Sequence, residues 1–470
     1  MDSFDDDKGG LLGEALLDVV LRWPEWVHRR VDSLHPLEGE WGRRRHSIDC
    51  QPPLDPRLIY IVDGAEPAST SGSSSLSMIP LLYVEKGPLR NFDIEDTSGN
   101  TMPILGTEET TKAGVVMMKH LFTMNDIIQT SELSDALAEI AGPDVRSSTH
   151  SDELDLFVSS GIWNGKLCFQ ADDSSLDKMV EYMIRTFADK FLLISLMPIS
   201  SMKVRQILKI SYHWNVVEDF PRISLWQRLL IASGAKALSL SFAMDGSSYT
   251  RSYHLEFHTP TEVECLLLRI PNADGLLVPG TAPTPAIHED NSRIPVAHVH
   301  GGFVGYSTDT RAELVLGIPK RGVQNTALFA STFSLFLILL VLVLPEATEV
   351  WRRTPGNAAT ALLTAPAILI AFLASQGESA LMKKPLDLLR FFISSSGFSL
   401  FLIAASLIGE LRDPWLVPFW SLIAIWNGAI AMVLAGARLN QRFIQIARHA
   451  SGNPSLEIIV PTYPATAGMK

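Results

Sequence analysis

The chain has 470 residues and a formal net charge of -12, with 39 Lys and Arg against 51 Asp and Glu. That balance excludes broad nucleic-acid binding, because phosphate affinity needs clustered cations to displace counterions. Cys50, Cys168 and Cys265 are widely spaced, with no C-x-x-C, so neither a disulfide framework nor a zinc cage is encoded and a reducing compartment fits.

The opening MDSFDDDKGG is acidic, and the apolar run after it carries charges, the opposite of a secretory signal. The residues before the first apolar span are therefore expected to stay in the cytoplasm. Leu and Val at helical spacing over residues 10–34 predict a helix pair interrupted at Pro24, and RLIYIVD predicts a strand. EPASTSGSSSLS, 66–77, reads as a flexible loop. Phe92 and Ile94 alternate with polar residues, DTSGN has turn chemistry, and Met102 and Ile104 resume the alternation, which together predict a hairpin. These segments form a first region, 1–106.

A helical region, 107–190, follows. Thr107 is placed to cap a helix with Glu108 and Glu109 in its first turn. Leu133, Leu137 and Ile140 share a helix face that stops at Gly142-Pro143. Leu176, Met179, Val180, Met183, Ile184 and Phe187 form another stripe, with Ser174 as its cap and core packing as its purpose.

From 191 to 319 the pattern changes to about seven short alternating runs, and these predict a β-sandwich. Within it SYHLEFH sets His254, Glu256 and His258 on one side and Tyr253, Leu255 and Phe257 on the other, while His298 and His300 repeat the spacing in VAHVHGG. His254 and His258 would stand ~13 Å apart on a strand, too far to share an ion. His254 with Glu256, or His298 with His300, is the closer pair, and a zinc site could form only if the two strands were neighbours. A half-exposed sheet face needs polar residues in any case, so these positions read as structural and no metal or other cofactor is expected.

The overall mean hydropathy of +0.17 reflects apolar runs after residue 324. Four uncharged segments, 325–344, 357–376, 391–408 and 415–437, are long enough to cross ~30 Å of hydrocarbon. With four spans both chain ends share a side. The basic residues on that side are Arg311, Lys320, Arg321, Lys383, Lys384, Arg390, Arg438, Arg442 and Arg448, against Arg352, Arg353 and Arg412 on the other. Nine against three orients both termini toward the cytoplasm. Glu378 lies beside Lys383 and Lys384 as an interfacial anchor, and Asn427 as an interhelical hydrogen bonder. The tail, 438–470, begins as an amphipathic helix in which Arg438 and Arg442 can meet an anionic leaflet or simply snorkel.

The phosphate-loop, dinucleotide, zinc-protease and hydrolase motifs are missing from the chain. KGPLRNFDIEDTSGNTMPIL, RSYHLEFHTPTEVE and the QGESALMKKPLDLLRFF connector, in that order, resemble a group of uncharacterised, mainly actinobacterial, membrane proteins. That resemblance implies a cytoplasmic β-rich domain followed by four transmembrane helices, with His258 at a variable position, and it implies no activity. The layout also resembles the pentameric ligand-gated channels. This chain departs from them in lacking an export signal and paired cysteines, and in a charge bias that places the β domain inside.

The fold expected is an α+β cytoplasmic region including a β-sandwich, followed by an all-α four-helix transmembrane domain. The function expected is a membrane-anchored cytoplasmic sensing or partner-binding module that partners the lipid bilayer and a cytoplasmic protein, does not bind nucleic acid, and self-associates through its spans. The alternative is an oligomeric pore or effector lined by Ser394, Ser395, Ser396 and Asn427; a membrane-bound metalloenzyme is third.

Overall fold

The computed structural model describes residues 6–37, 41–60, 75–87, 89–170, 176–215, 224–243, 250–260, 263–269, 296–300, 311–318, 323–343, 364, 380–408 and 415–451. The first half contains α1 (Asp6–Leu21), α2 (Trp23–Trp26), β1 (Val27–Pro36), β2 (Trp41–Cys50), β3 (Ile59–Tyr60), β4 (Leu76–Glu85), β5 (Arg90–Glu95), α3 (Thr107–Met124), β6 (Ile128–Gln129), α4 (Leu133–Ala141), α5 (Ser151–Ser160), β7 (Ile162–Trp163), β8 (Lys166–Leu167), β9 (Phe169–Gln170) and α6 (Lys178–Asp189). There follow β10 (Lys190–Pro198), β11 (Gln206–Asn215), α7 (Leu225–Ala232), β12 (Leu238–Ala243), β13 (Ser252–Phe257), β14 (Glu264–Arg269), β15 (Val296–His300), β16 (Arg311–Gly317), α8 (Val323–Val343), α9 (Ala380–Ile408) and α10 (Leu416–Ser451).

The helix expected to resume after Pro24 is instead β1. VHRRVDSLHP pairs with β2 antiparallel along one edge and with β13 parallel along the other, so both of its edges are used by ladders that outweigh its local preference. Trp23 and Trp26 anchor the corner, donating from their indole nitrogens to the Pro80 and Val19 carbonyls at 3.0 Å each.

A six-stranded mixed sheet runs in the order β15-β13-β1-β2-β11-β5, and a three-stranded sheet in the order β10-β4-β3. One core joins them to α1, α3, α4 and α6, with Leu16, Phe122, Leu137, Phe157 and Phe187 fully enclosed. Helices α1 and α3 approach so closely that a Cβ at Gly13 would collide with the Val116 carbonyl. Leu133, Leu137 and Ile140 are all buried, as are Val180, Met183, Ile184 and Phe187. The caps differ from expectation. Gly106, not Thr107, precedes the first turn of α3, and Asp177 caps α6 by accepting from the Met179 amide at 2.7 Å; Ser174 lies outside the described residues. The turn after β5 forms as expected: the Asp96 carboxylate accepts from the amides of Ser98 and Asn100 at 2.7 and 2.9 Å, and Gly99 takes a φ of 82°. Most of the expected 66–77 loop lies outside the described residues, and its last two residues, Leu76 and Ser77, open β4.

The strands grouped at 191–319 by their alternation are distributed over three sheets. β10 pairs with β4, β11 lies between β2 and β5, β13 and β15 extend the six-stranded sheet, and β12-β16-β14 form a sheet of their own. Alternation marks a strand without naming its neighbour, and several partners here come from the first hundred residues.

Among the described residues three helices, α8, α9 and α10, are long and apolar enough to cross a membrane, over Val323–Leu340, Leu386–Ser406 and Leu416–Leu439. The 357–376 run lies outside the described residues apart from Thr364. A second core binds the early residues of α8 and α9 (Val323, Ala327, Leu386, Leu389) and the late residues of α10 (Ile430, Leu434) to the β12-β16-β14 sheet, α7 and β13. A third joins their opposite ends: Ile338, Leu400, Ile403, Leu416 and Trp420. Thus α8 and α9 run in the same direction and α10 returns between these two cores.

Candidate functional site on the two faces of the six-stranded sheet

In a strand, alternate residues share a face, so β1 puts Arg30, Asp32 and Leu34 together. Cross-strand register adds Arg44, His46 and Ile48 from β2, Ile210 and Tyr212 from β11, and Tyr253, Leu255 and Phe257 from β13. The apolar members belong partly to the first core and partly to the second, and the polar ones meet where the two cores adjoin.

Asp32 is the centre of that polar cluster. Its Oδ1 accepts from Arg30 Nε at 2.8 Å and from His46 Nδ1 at 2.7 Å, and its Oδ2 accepts from Arg30 at 3.1 Å and from the Tyr253 hydroxyl at 2.8 Å. With its proton on Nδ1, His46 presents Nε2 as acceptor to the Tyr212 hydroxyl at 3.2 Å. Side-chain exposure is 8% for Arg30, 4% for Asp32 and 2% for His46. Burial alone would raise the Asp32 carboxyl, but Arg30 and His46 hold it well below the usual carboxylate range. Burial lowers His46, with Arg30 and Arg44 adding to the effect against the pull of Asp32, so the imidazole stays neutral. Burial also raises Tyr253 and Tyr212.

This cluster has the hydrogen-bond order of a proton relay, Tyr212 to His46 to Asp32, with Arg30, Asp32 and His46 almost wholly buried. Its chemistry is structural: one buried charge pair saturated by its neighbours. Such pairs fix register more reliably than they add stability.

The other face carries His254 and Glu256 from β13 and His258 just after it, Ser33 and His35 from β1, Arg43 and Arg45 from β2, and Ser211 and His213 from β11. Six of the twelve histidines, His35, His213, His254, His258, His298 and His300, belong to it by register. His258 stacks on His35 with ring centroids 3.4 Å apart, and Glu256 accepts from the Ser33 hydroxyl at 2.7 Å. Partial burial first, then His258, Arg45 and Arg43, pulls His35 down to about 4. His254 is half-buried, its Nε2 3.3 Å from the Ser252 hydroxyl.

The predicted residues are therefore gathered on one face, and β13 and β15 are neighbours with His254 directly opposite His298. Among the residues whose side chains are described, no three His, Cys, Asp or Glu are grouped closely enough to hold a metal ion. Sequence reading did not single out Arg30, Asp32, Arg44, His46 or Tyr212. The signal available was a tyrosine, Tyr253, on the apolar side of its strand, since a buried hydroxyl needs a partner.

Elsewhere, Lys86 is buried and lowered to about 8, chiefly by burial, but it donates to the Ile140 and Val145 carbonyls at 2.6 and 3.1 Å and so serves the end of α4. Burial pushes Cys50 up to about 12 and Cys265 up to about 11, which keeps both thiols protonated and unreactive. In the helices, Ser396 and Asn427 are enclosed, Asn427 donating to the Ile423 carbonyl at 3.0 Å; Ser395 donates to the Phe392 carbonyl at 3.0 Å, and Ser394 is exposed. Arg438 is half-buried on α10, and Arg442 follows one turn later on the same helix. No protein-family model matches the chain, and no curated protein matches it.

Proposed function

We propose that the chain is a four-span membrane protein whose cytoplasmic region is seated directly on its spans and senses or binds a cytoplasmic partner. The observation that carries this reading is the second core. Leu238, Leu240, Leu314 and Leu316 of the β12-β16-β14 sheet share it with Val323, Leu386, Leu389 and Leu434 of the helices. Gln324, at the start of α8, donates to the Ser233 carbonyl after α7 at 2.6 Å, inside the same contact. A change at the sheet is thereby a change in helix packing, because a close-packed interior transmits displacement rather than absorbing it.

The helix directions support the fourth span. Helix α8 leaves the sheet and ends at Val343, whereas α9 starts again beside the sheet, so the segment between Val343 and Ala380 has to recross; 357–376 is its uncharged part. Both termini then share a side, which the basic residues assign to the cytoplasm.

All three native cysteines are buried, so single introduced cysteines report topology without interference. Arg353→Cys is expected to react with an impermeant maleimide on intact cells, and Arg448→Cys only after permeabilisation. The reverse pattern overturns the orientation, and labelling of both on intact cells overturns the span count. Purified protein in planar bilayers is expected to carry no current; a steady conductance would transfer the proposal to a pore built with Ser394, Ser395, Ser396 and Asn427.

A further inference from the structure

A single apolar side chain in the open needs no reason, but an adjacent pair of large ones beside a set of membrane spans does. Among the described residues outside α8, α9 and α10, the two most exposed large hydrophobic side chains are neighbours, Leu225 at 79% and Trp226 at 68%, and they are the first two residues of α7. They are held in place rather than frayed. Ser224 caps the helix by accepting from the Gln227 amide at 3.3 Å, and the Gln227 side chain accepts in return from the Ser224 amide at 3.1 Å, which closes a capping box.

The other end of α7 fixes where this pair sits. Ile231 and Ala232 are buried in the second core with Leu386 and Leu389, which open the apolar length of α9, and the Ser233 carbonyl accepts from Gln324 in the first turn of α8 at 2.6 Å. Helical rise is ~1.5 Å per residue, so the backbone of Leu225 and Trp226 stands within ~10 Å of that contact. Beyond ~30 Å of hydrocarbon the headgroup layer adds ~5–8 Å on each side, a depth that such a helix can reach.

Composition agrees with this placement. The stretch RISLWQRLLIASGAK, 222–236, has three basic residues and no acid, in a chain whose net charge is -12. Tryptophan concentrates at membrane–water interfaces, and basic segments there are drawn to anionic headgroups.

We propose that α7 is an interfacial anchor whose first turn inserts Leu225 and Trp226 into the headgroup layer of an anionic leaflet, on the side of the membrane where the β12-β16-β14 sheet lies. The inference rests on the reading that α8, α9 and α10 cross a membrane, and it needs neither the fourth span nor the orientation. Because β12 follows α7 directly, the sheet is then tied to the bilayer through α7 as well as through the starts of the spans.

The test uses the full chain in vesicles of phosphatidylcholine and phosphatidylglycerol. Leu225→Cys and Trp226→Cys are each labelled with a nitroxide, which the buried native cysteines do not compete for, and both substituted positions are exposed, so the core is left intact. Collision with oxygen, which partitions into lipid, is compared with collision with a water-soluble nickel chelate. Two positions calibrate the scale: Ile425→Cys, 68% exposed on α10, for hydrocarbon, and Leu156→Cys, 46% exposed on α5, for water. The oxygen-to-nickel ratio at 225 and 226 is expected to be several-fold above that at 156. Ratios equal to that at 156, with Ile425→Cys reading lipid, overturn the anchor and leave the spans standing. Labels shielded from both agents show a protein surface, a second copy included, over the pair and overturn it as well. If Ile425→Cys itself reads water, the membrane reading fails and takes the anchor with it.

Discussion

The two faces of the six-stranded sheet use the same residue types to opposite ends. On one, Arg30, Asp32, His46 and Tyr253 are enclosed, with Arg30, His46 and Tyr253 all bonded to the Asp32 carboxylate at 3.1 Å or less. On the other, Arg43, Arg45, His35 and Glu256 are exposed or half-exposed, so water can replace a contact that is lost. The difference shows that the charged residues of a strand carry structural information only once their partners across the sheet are known. Position on a face sets the energetic weight of each group: removing one member of a buried pair strands the other in low dielectric, whereas water replaces the loss outside.

Substitutions should separate the faces by size of effect. Asp32→Ala leaves the buried Arg30 guanidinium without its carboxylate and should cost about 3–5 kcal/mol, read as a lower urea midpoint by tryptophan fluorescence. A change within the ~0.5 kcal/mol ordinary for surface sites would erase the contrast. Tyr253→Phe removes a single bond to a charged acceptor that keeps Arg30 and His46, and should cost about 1.5–3 kcal/mol by the same measurement.

Acid titration should draw on both faces. His46 and His35 have lowered values in the folded chain, the latter to about 4, while an unfolded histidine titrates near ~6.5. Between these the unfolded chain binds more protons, so stability rises with pH, is complete above ~6.5 and falls as pH drops toward 4. Asp32, lowered as well, contributes above the ~3.9 of an unfolded carboxylate, and that contribution is lost below it. His35→Gln should reduce the slope between pH 6.5 and 4, leaving the His46 share and the loss at lower pH in place; an unchanged upper slope would show that His35 takes no part. The smallest effect belongs to Arg205→Ala, which opens a bidentate pair with Asp49 at 2.6 and 2.8 Å. Arg205 is 69% exposed there, so water and salt screen the pair and the urea midpoint should hardly move.

What could be read from the sequence was local. The uncharged runs at α8, α9 and α10, the stripes of α4 and α6, the Asp96 turn and the alternation of SYHLEFH each depend on residues a few positions apart, and each is present. β1 was misread as helix because HRRVDS is weakly patterned by itself and becomes a strand only through β2 and β13. For the same reason the Asp32 network was invisible: its members come from four strands, and charged residues in a strand look like solvent-facing ones until a tyrosine 221 residues away closes over them. The histidines were visible as a pattern. That β15 puts His298 against His254 was not, since register between strands separated by nearly forty residues is set by the whole sheet.

The parallel pairing of β1 with β13 also has a consequence in time. β1 and β2 can form their hairpin, with Arg30, Asp32 and His46 in place, soon after they leave the ribosome, but the strand that completes the other edge of β1 is made only after some two hundred further residues. Until then the central strand of the largest sheet has an open edge and an acid still short of its last donor. Arrival of β13 closes both at once, shortly before α8 is synthesised. The six-stranded sheet therefore finishes late in translation, next to the moment at which the chain first needs the membrane, and long-range closures of this kind are slow steps. A defect at Tyr253 would then first appear as an unfinished nascent chain at the insertion machinery, before it could be seen as a weakened folded protein.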